Sequence, residues 1–188
     1  MKLRPNVFVV AFILGAAVLT VLPLLQRRFL RAPAPIRPLA PWALSTADGT
    51  AVGTRELAGR VWLASFVTEP CDEACGARQA AFGRGLDHLQ DLDGGVVLVS
   101  LGGTAASQRN WYVVNGPSAQ AVIDDFRGGW AEWAKTDAGS TPREFARLPG
   151  FAVVDQNGAL RGFWKDDAEG RGNAINAARL LFRHGPTP

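Results

Sequence analysis

Apolar and polar positions divide the chain into three stretches. Val7 to Leu25 is a run of 19 residues without a charge. As a helix it would be roughly 28 Å long, close to the ~30 Å hydrocarbon core of a bilayer, so it predicts a transmembrane anchor. Residues 26–41 follow, with prolines at 33, 35, 38 and 41, and read as an extended linker. From Trp42 onward short apolar runs alternate with amphipathic ones. VWLASFV (Val61 to Val67) and VVLVSL (Val96 to Leu101) are near-continuous and predict buried strands. WYVV predicts a short strand with a turn at Asn115-Gly116. FAVV and ALRGFW predict strands joined by Asp155-Gln156-Asn157-Gly158. LSTADGTAV predicts a hairpin about Asp48-Gly49, and TRELAG a helical turn.

Helical spacing appears in four places. Cys71, Cys75, Phe82, Leu86 and Leu89 form one stripe, interrupted by Arg78. Ser118 is placed to cap a helix carrying Val122, Ile123 and Phe126. Thr141-Pro142-Arg143-Glu144 has the pattern of a capping box. A last helix from about Asn173 buries Ile175, Ala178 and Phe182 and stops at Gly185. Residues 128–140, with Trp130 and Trp133, read as a loop whose tryptophans pack at the core or its rim, or serve as a lid. The alternation predicts an α/β domain over 42–188, a mixed central sheet flanked by helices. A cysteine pair between the first central strand and the next helix lies where a thioredoxin-like fold keeps its chemistry.

Charge sharpens this division. Six basic residues and no acid lie in residues 1–41, so the other 14 basic residues face 17 acidic ones. The body is mildly acidic, which excludes a nucleic-acid-binding surface as the main reading. The apolar run is longer than a signal-peptide core, contains Pro23 and is followed by QRRFLR, which favours an uncleaved anchor. Residues 1–6 are then cytoplasmic and the domain lies on the periplasmic, extracytoplasmic side, where a dithiol meets oxidants.

TEPCDEACGARQAAF holds both cysteines of the chain. Three chemistries compete. As a redox couple, Cys71 at the helix start is the attacking sulfur and Cys75 the resolving one. Asp72 and Glu73 disfavour a thiolate there, and Arg78 would offset them if it reached back to the sulfurs. As a soft-metal site, two thiolates suit Cu(I). His88 and His184 fall off the stripe or at a helix end, and Met1 lies beyond the anchor. As a structural bridge the pair closes a very short loop and constrains the unfolded chain little. A peroxidase reading follows from the T-x-x-C spacing of Thr68 to Cys71, with Ala64 where a peroxiredoxin has proline.

GTAVGTRELAGRVWLASFV, Cys71-Asp72-Glu73-Ala74-Cys75, NWYVVNG and FAVVDQNGALRGFW together resemble the Sco/SenC family of membrane-anchored thioredoxin-fold proteins. The resemblance runs from about Trp42 to Phe182 and is carried most specifically by C-x-x-x-C and the Trp111 strand. It implies copper handling or thiol reduction in cytochrome c oxidase assembly, with an oxidase subunit or another copper protein as partner. Of the family's copper ligands, the two cysteines correspond to Cys71 and Cys75. The histidine position falls at about Arg147, which cannot ligate. Asp72 and Gly76 stand where the family usually has prolines. Pro149, in LPGFAVVD, is similar to the cis-proline that faces the dithiol in thioredoxin-like reductases. A redox-inert assembly scaffold remains the third reading.

Overall fold

The computed structural model describes residues 15–18, 32–67, 73–92, 95–102, 109–114, 117–136 and 150–185. The chain divides into two units, Met1–Arg31 and Ala32–Pro188. In the first, residues 15–18 are helical. Most of the expected anchor lies outside the described residues, and among the described residues no helix is long and apolar enough to cross a membrane.

The second unit is built on two strong apolar runs. Strand β4 (Val61–Phe66) and strand β5 (Val96–Leu101) pair in parallel, Val61 opposite Val96 through Phe66 opposite Leu101. Strand β6 (Trp111–Val114) adds in parallel beyond β5. On the other side β7 (Phe151–Val154) and β8 (Ala159–Trp164) form the expected hairpin, with β7 antiparallel to β4. A two-residue edge strand β1 (Arg37–Pro38) closes the six-stranded order β1-β8-β7-β4-β5-β6. The predicted Asp48-Gly49 hairpin is present as β2 (Ala43–Ser45) and β3 (Ala51–Gly53). TRELAG forms the expected single turn, with Leu57 N donating to Gly53 O at 2.9 Å and Gly59 at positive φ ending it.

Alternation along β4 explains the layering. Trp62 and Ala64 face one way, into a core with Val97, Val99, Phe126 and Leu160. Val61 and Leu63 face the other way, with Phe82, Leu98, Phe151 and Leu181. Each fully buried side chain of this size stabilises the fold by about 1.5–3 kcal/mol. Helix α1 (Glu73–Gly83), continued by a 3-10 segment (Arg84–Leu92), and helix α3 (Ala168–His184) contribute to the second core. Helix α2 (Pro117–Thr136) contributes to the first. The mixed sheet with flanking helices is therefore the predicted class.

Four expectations need correction. Gly128 to Thr136 is not loop but the second half of α2. The glycine pair reads as a breaker, yet a Cβ at Gly129 would lie 2.4 Å from Leu160 Cδ2. The absent side chains let the helix approach the sheet. Trp130 is buried there, edge-on to Phe163 at 5.2 Å, and Trp133 packs beside it. Ser118 does not cap α2, which starts one residue earlier with Pro117 at its first position. Helix α3 starts at Ala168, not Asn173, because Asp167 caps it by accepting from Gly170 N at 2.6 Å. Within α3, Ile175 and Ala178 are buried as expected, but Phe182 is 38% exposed and Leu181 fills the core.

The linker also differs from its reading. Ala32 onward belongs to the folded unit. Ile36 N donates to Leu160 O at 2.8 Å and Leu39 N to Gly158 O at 3.1 Å. Arg37 pairs with Asp125 of α2, and Ala40 N donates to the same carboxylate at 2.8 Å. Proline is compatible with this strand because β1 is at the edge, where a missing N–H costs no ladder bond. Asn115-Gly116, the box at Thr141–Glu144, Cys71, Arg147 and Pro149 lie outside the described residues.

Candidate functional site

The site gathers at one end of the sheet. β4 and β5 both run toward it, and Val67 N donates to Leu101 O at 2.9 Å as β4 ends. β7 starts there, with Phe151 opposite Ser65, and β8 ends there, with Trp164 opposite Phe151. In parallel arrangements this carboxyl end is where loops are free to carry chemistry.

Cys75 is the third residue of α1 and is 5% exposed. Its sulfur is in a disulfide. The sequence supplies one other cysteine, Cys71, which lies outside the described residues. Phe82 continues the buried stripe and stacks on Phe151, with ring centroids 5.3 Å apart. The stripe also contains Gln79, 3% exposed, whose Nε2 donates to Gly102 O at 3.4 Å and ties the helix to the end of β5.

Beneath this helix lies a buried polar cluster. Ser65 and Ser100, partners across β4 and β5, have their hydroxyls 2.9 Å apart. Trp111 Nε1 donates to Ser100 Oγ at 3.0 Å. Burying hydroxyls inside an apolar sheet is tolerable only with such bonds. The sequence reading passed over these serines; their one mark is a polar break in each apolar run. Gln79 carried no signal beyond its place in the stripe.

Arg78 is exposed at the edge of the same helix face, as the broken stripe indicated. Its Nε lies 3.0 Å from Asp166 Oδ2, just after β8. Asp166 packs hard against Gly150, where a Cβ would fall 2.3 Å from the Asp166 Cβ. Gly150 is therefore the residue that lets β7 begin so close to the β8 end. Burial pushes the Asp166 carboxyl above its ordinary value, and the Arg78 and Arg171 guanidiniums pull it partly back. Arg78 is thus engaged by Asp166, just past the end of β8. No pattern in the sequence marked Asp166 as its partner.

The two histidines are placed elsewhere. His184 ends α3, and Phe182, two residues before it, packs on Gly95 at the opposite end of the sheet. His88 lies in the 3-10 segment, with its carbonyl accepting from Arg179, more than halfway along α3. Both side chains are exposed. Among the described residues there is no group of three His, Cys, Asp or Glu placed to hold a metal.

No family model matches the sequence, and no curated protein matches it. Solved structures do. BsSco, a member of the Sco family of cytochrome c oxidase assembly proteins in which a disulfide switch was identified, superposes with a TM-score of 0.58 at 17% identity. That match covers 81% of this chain and 97% of BsSco. A SCO1/SenC family lipoprotein from Bacillus anthracis gives 0.54 at 18% identity, covering 77% and 95%. The chain shares the fold of these two structures. An uncharacterized thioredoxin-like protein from Bacteroides vulgatus is also similar, at 0.50 and 15% identity, covering 78% and 88%. At these identities the likeness is one of architecture. Within that architecture, the disulfide-bonded Cys75 sits near the start of the helix that follows the central strand β4.

Proposed function

We propose that this is a membrane-anchored, extracytoplasmic thiol–disulfide protein of Sco/SenC type that exchanges disulfides through Cys71 and Cys75. One observation carries the reading: Cys75 is held in a disulfide near the start of the helix after the first central strand. The fold around it is shared with a protein known for a disulfide switch. Asymmetry follows from burial. Cys75, 5% exposed as a residue, is shielded from partners, which suits a resolving cysteine, and Cys71 is then the attacking one. Pro149, immediately before Gly150, faces the pair in this reading.

The reaction balances as an exchange. The Cys71 thiolate attacks a partner disulfide, forms a mixed disulfide and expels one partner thiol. The Cys75 thiolate attacks the mixed disulfide, expels the second thiol and leaves the intramolecular bridge. The Ser65–Ser100–Trp111 cluster and Gln79 hold the helix and strands in register beneath it. The chain's partner, on this reading, is a copper subunit of an oxidase during assembly. Copper would be cargo: two thiolates of the reduced form suit Cu(I), and neither described histidine lies near them.

Trapping tests the assignment. Reduced full-length protein with Cys75→Ser should accumulate a mixed disulfide with a model disulfide, and Cys71→Ser should not. Equal behaviour of the two variants would reject the roles. Cu(I) titration against a competing chelator checks the rival. Tight one-to-one retention without disulfide turnover would make the protein a copper carrier.

A further inference from the structure

Arg78 is unusual for a residue on a core-facing stripe. It follows Cys75 by three positions on α1, so the two side chains are neighbours on one face. Helical side chains lean toward the N-terminal turn, the direction in which Cys75 lies. Its side chain is 53% exposed. Among the described residues its pairing is with Asp166, through Nε alone. A guanidinium offers five N–H donors, so the four on its terminal nitrogens remain for another acceptor.

The hold on Arg78 is itself built. Asp166 is pinned by the close backbone approach of Gly150. It is also faced by Arg171 of α3, so it does not depend on Arg78 for a counter-charge. Around it, Lys165 and Glu169 are exposed, Asp167 is engaged in capping α3, and Glu73 is exposed at the start of α1. Asp166 thereby fixes one edge of the guanidinium and leaves the other toward solvent.

We propose that Arg78, oriented by Asp166, is a specificity-determining residue that receives a carboxylate of the incoming thiol or disulfide partner, next to the partner's reacting sulfur. The inference rests on the thiol–disulfide reading above and names the substrate class for that site. A carboxylate fits the terminal nitrogens through paired, charge-assisted bonds without displacing Asp166. Such a carboxylate could belong to an acidic protein segment or to a small acidic thiol such as glutathione.

The test uses the reduced full chain in detergent and symmetric disulfides of short peptides. These peptides are identical except for Glu, Gln or Lys beside the cysteine. Oxidised glutathione is a further probe. The expected result is a preference for Glu over Lys of about 3- to 10-fold in the second-order rate. Arg78→Gln should erase it, Arg78→Glu should invert it, and Asp166→Asn should reduce it. Acceleration of glutathione alone, with no Glu-peptide preference, assigns the small thiol as the source. An unchanged Glu-to-Lys ratio in Arg78→Gln overturns the proposal and leaves the thiol reading intact. If no probe reacts with the unaltered protein, both fall together.

Discussion

Two of the domain's arginine–aspartate pairs have opposite character. Arg161 and Asp155 sit at the β7–β8 turn with side-chain exposures of 2% and 0%. Both Arg161 Nε and Nη2 lie 2.5 Å from Asp155 Oδ2. The other carboxylate oxygen accepts from Asn157 N and Ala159 N at 2.9 Å, and Arg161 Nη1 donates to Pro33 O at 3.1 Å. Every part of that pair is used by the fold. Arg78 and Asp166, at the other end of β8, are 53% and 37% exposed and meet through one nitrogen. The same two side chains serve as a fixed joint in one place and an open hand in the other. Burial and leftover donors, not residue type, distinguish them.

That contrast can be broken or sharpened in order of effect. Asp155→Ala strands a buried guanidinium, so denaturant unfolding should show a loss of about 3–5 kcal/mol. Replacing both partners, as Asp155→Leu with Arg161→Met, should recover most of that loss, because the desolvation penalty goes with the charges; a double variant as weak as the single would refute this. Arg78→Gln should change unfolding by under ~1 kcal/mol, as expected for an exposed pair, while altering partner preference. A large stability loss there would recast the pair as structural.

The smallest effect is the pH dependence of Asp166. Its folded value is raised, mainly by burial. A raised acid contributes stability below its unfolded value, and that contribution is lost as pH rises through the folded one. Asp166→Asn should therefore be at least as stable as the unaltered protein at neutral pH. Its advantage should shrink on acidification, as followed by thermal melting at several pH values.

Much of the fold was legible because its signals are local. VWLASFV and VVLVSL are apolar along their length, and Asp48-Gly49 and Asp155 to Gly158 carry their own turn chemistry. What escaped depends on contacts across the chain. Gly128-Gly129 looks like a helix stop until Leu160 and Arg37 occupy the space their side chains would take. Arg37-Pro38 looks like spacer because two residues cannot announce a strand; β8 makes them one. At the site, the broken stripe at Arg78 pointed to an exposed edge, and the structure agrees. Asp166, 88 positions away, left no trace in spacing. The cysteine pair itself was plain from sequence, and Cys75 lies on the helix that follows β4.

The pairing of Arg37-Pro38 with β8 has a practical corollary. A recombinant fragment cut at Trp42, where the sequence would place the domain start, would strip the cover from the outer side of β8. It would also take away the Pro33 carbonyl that caps Arg161. A bare row of backbone donors and acceptors invites stacking with other copies. Preparations begun at Ala32 should stay monodisperse at concentrations where those begun at Trp42 precipitate.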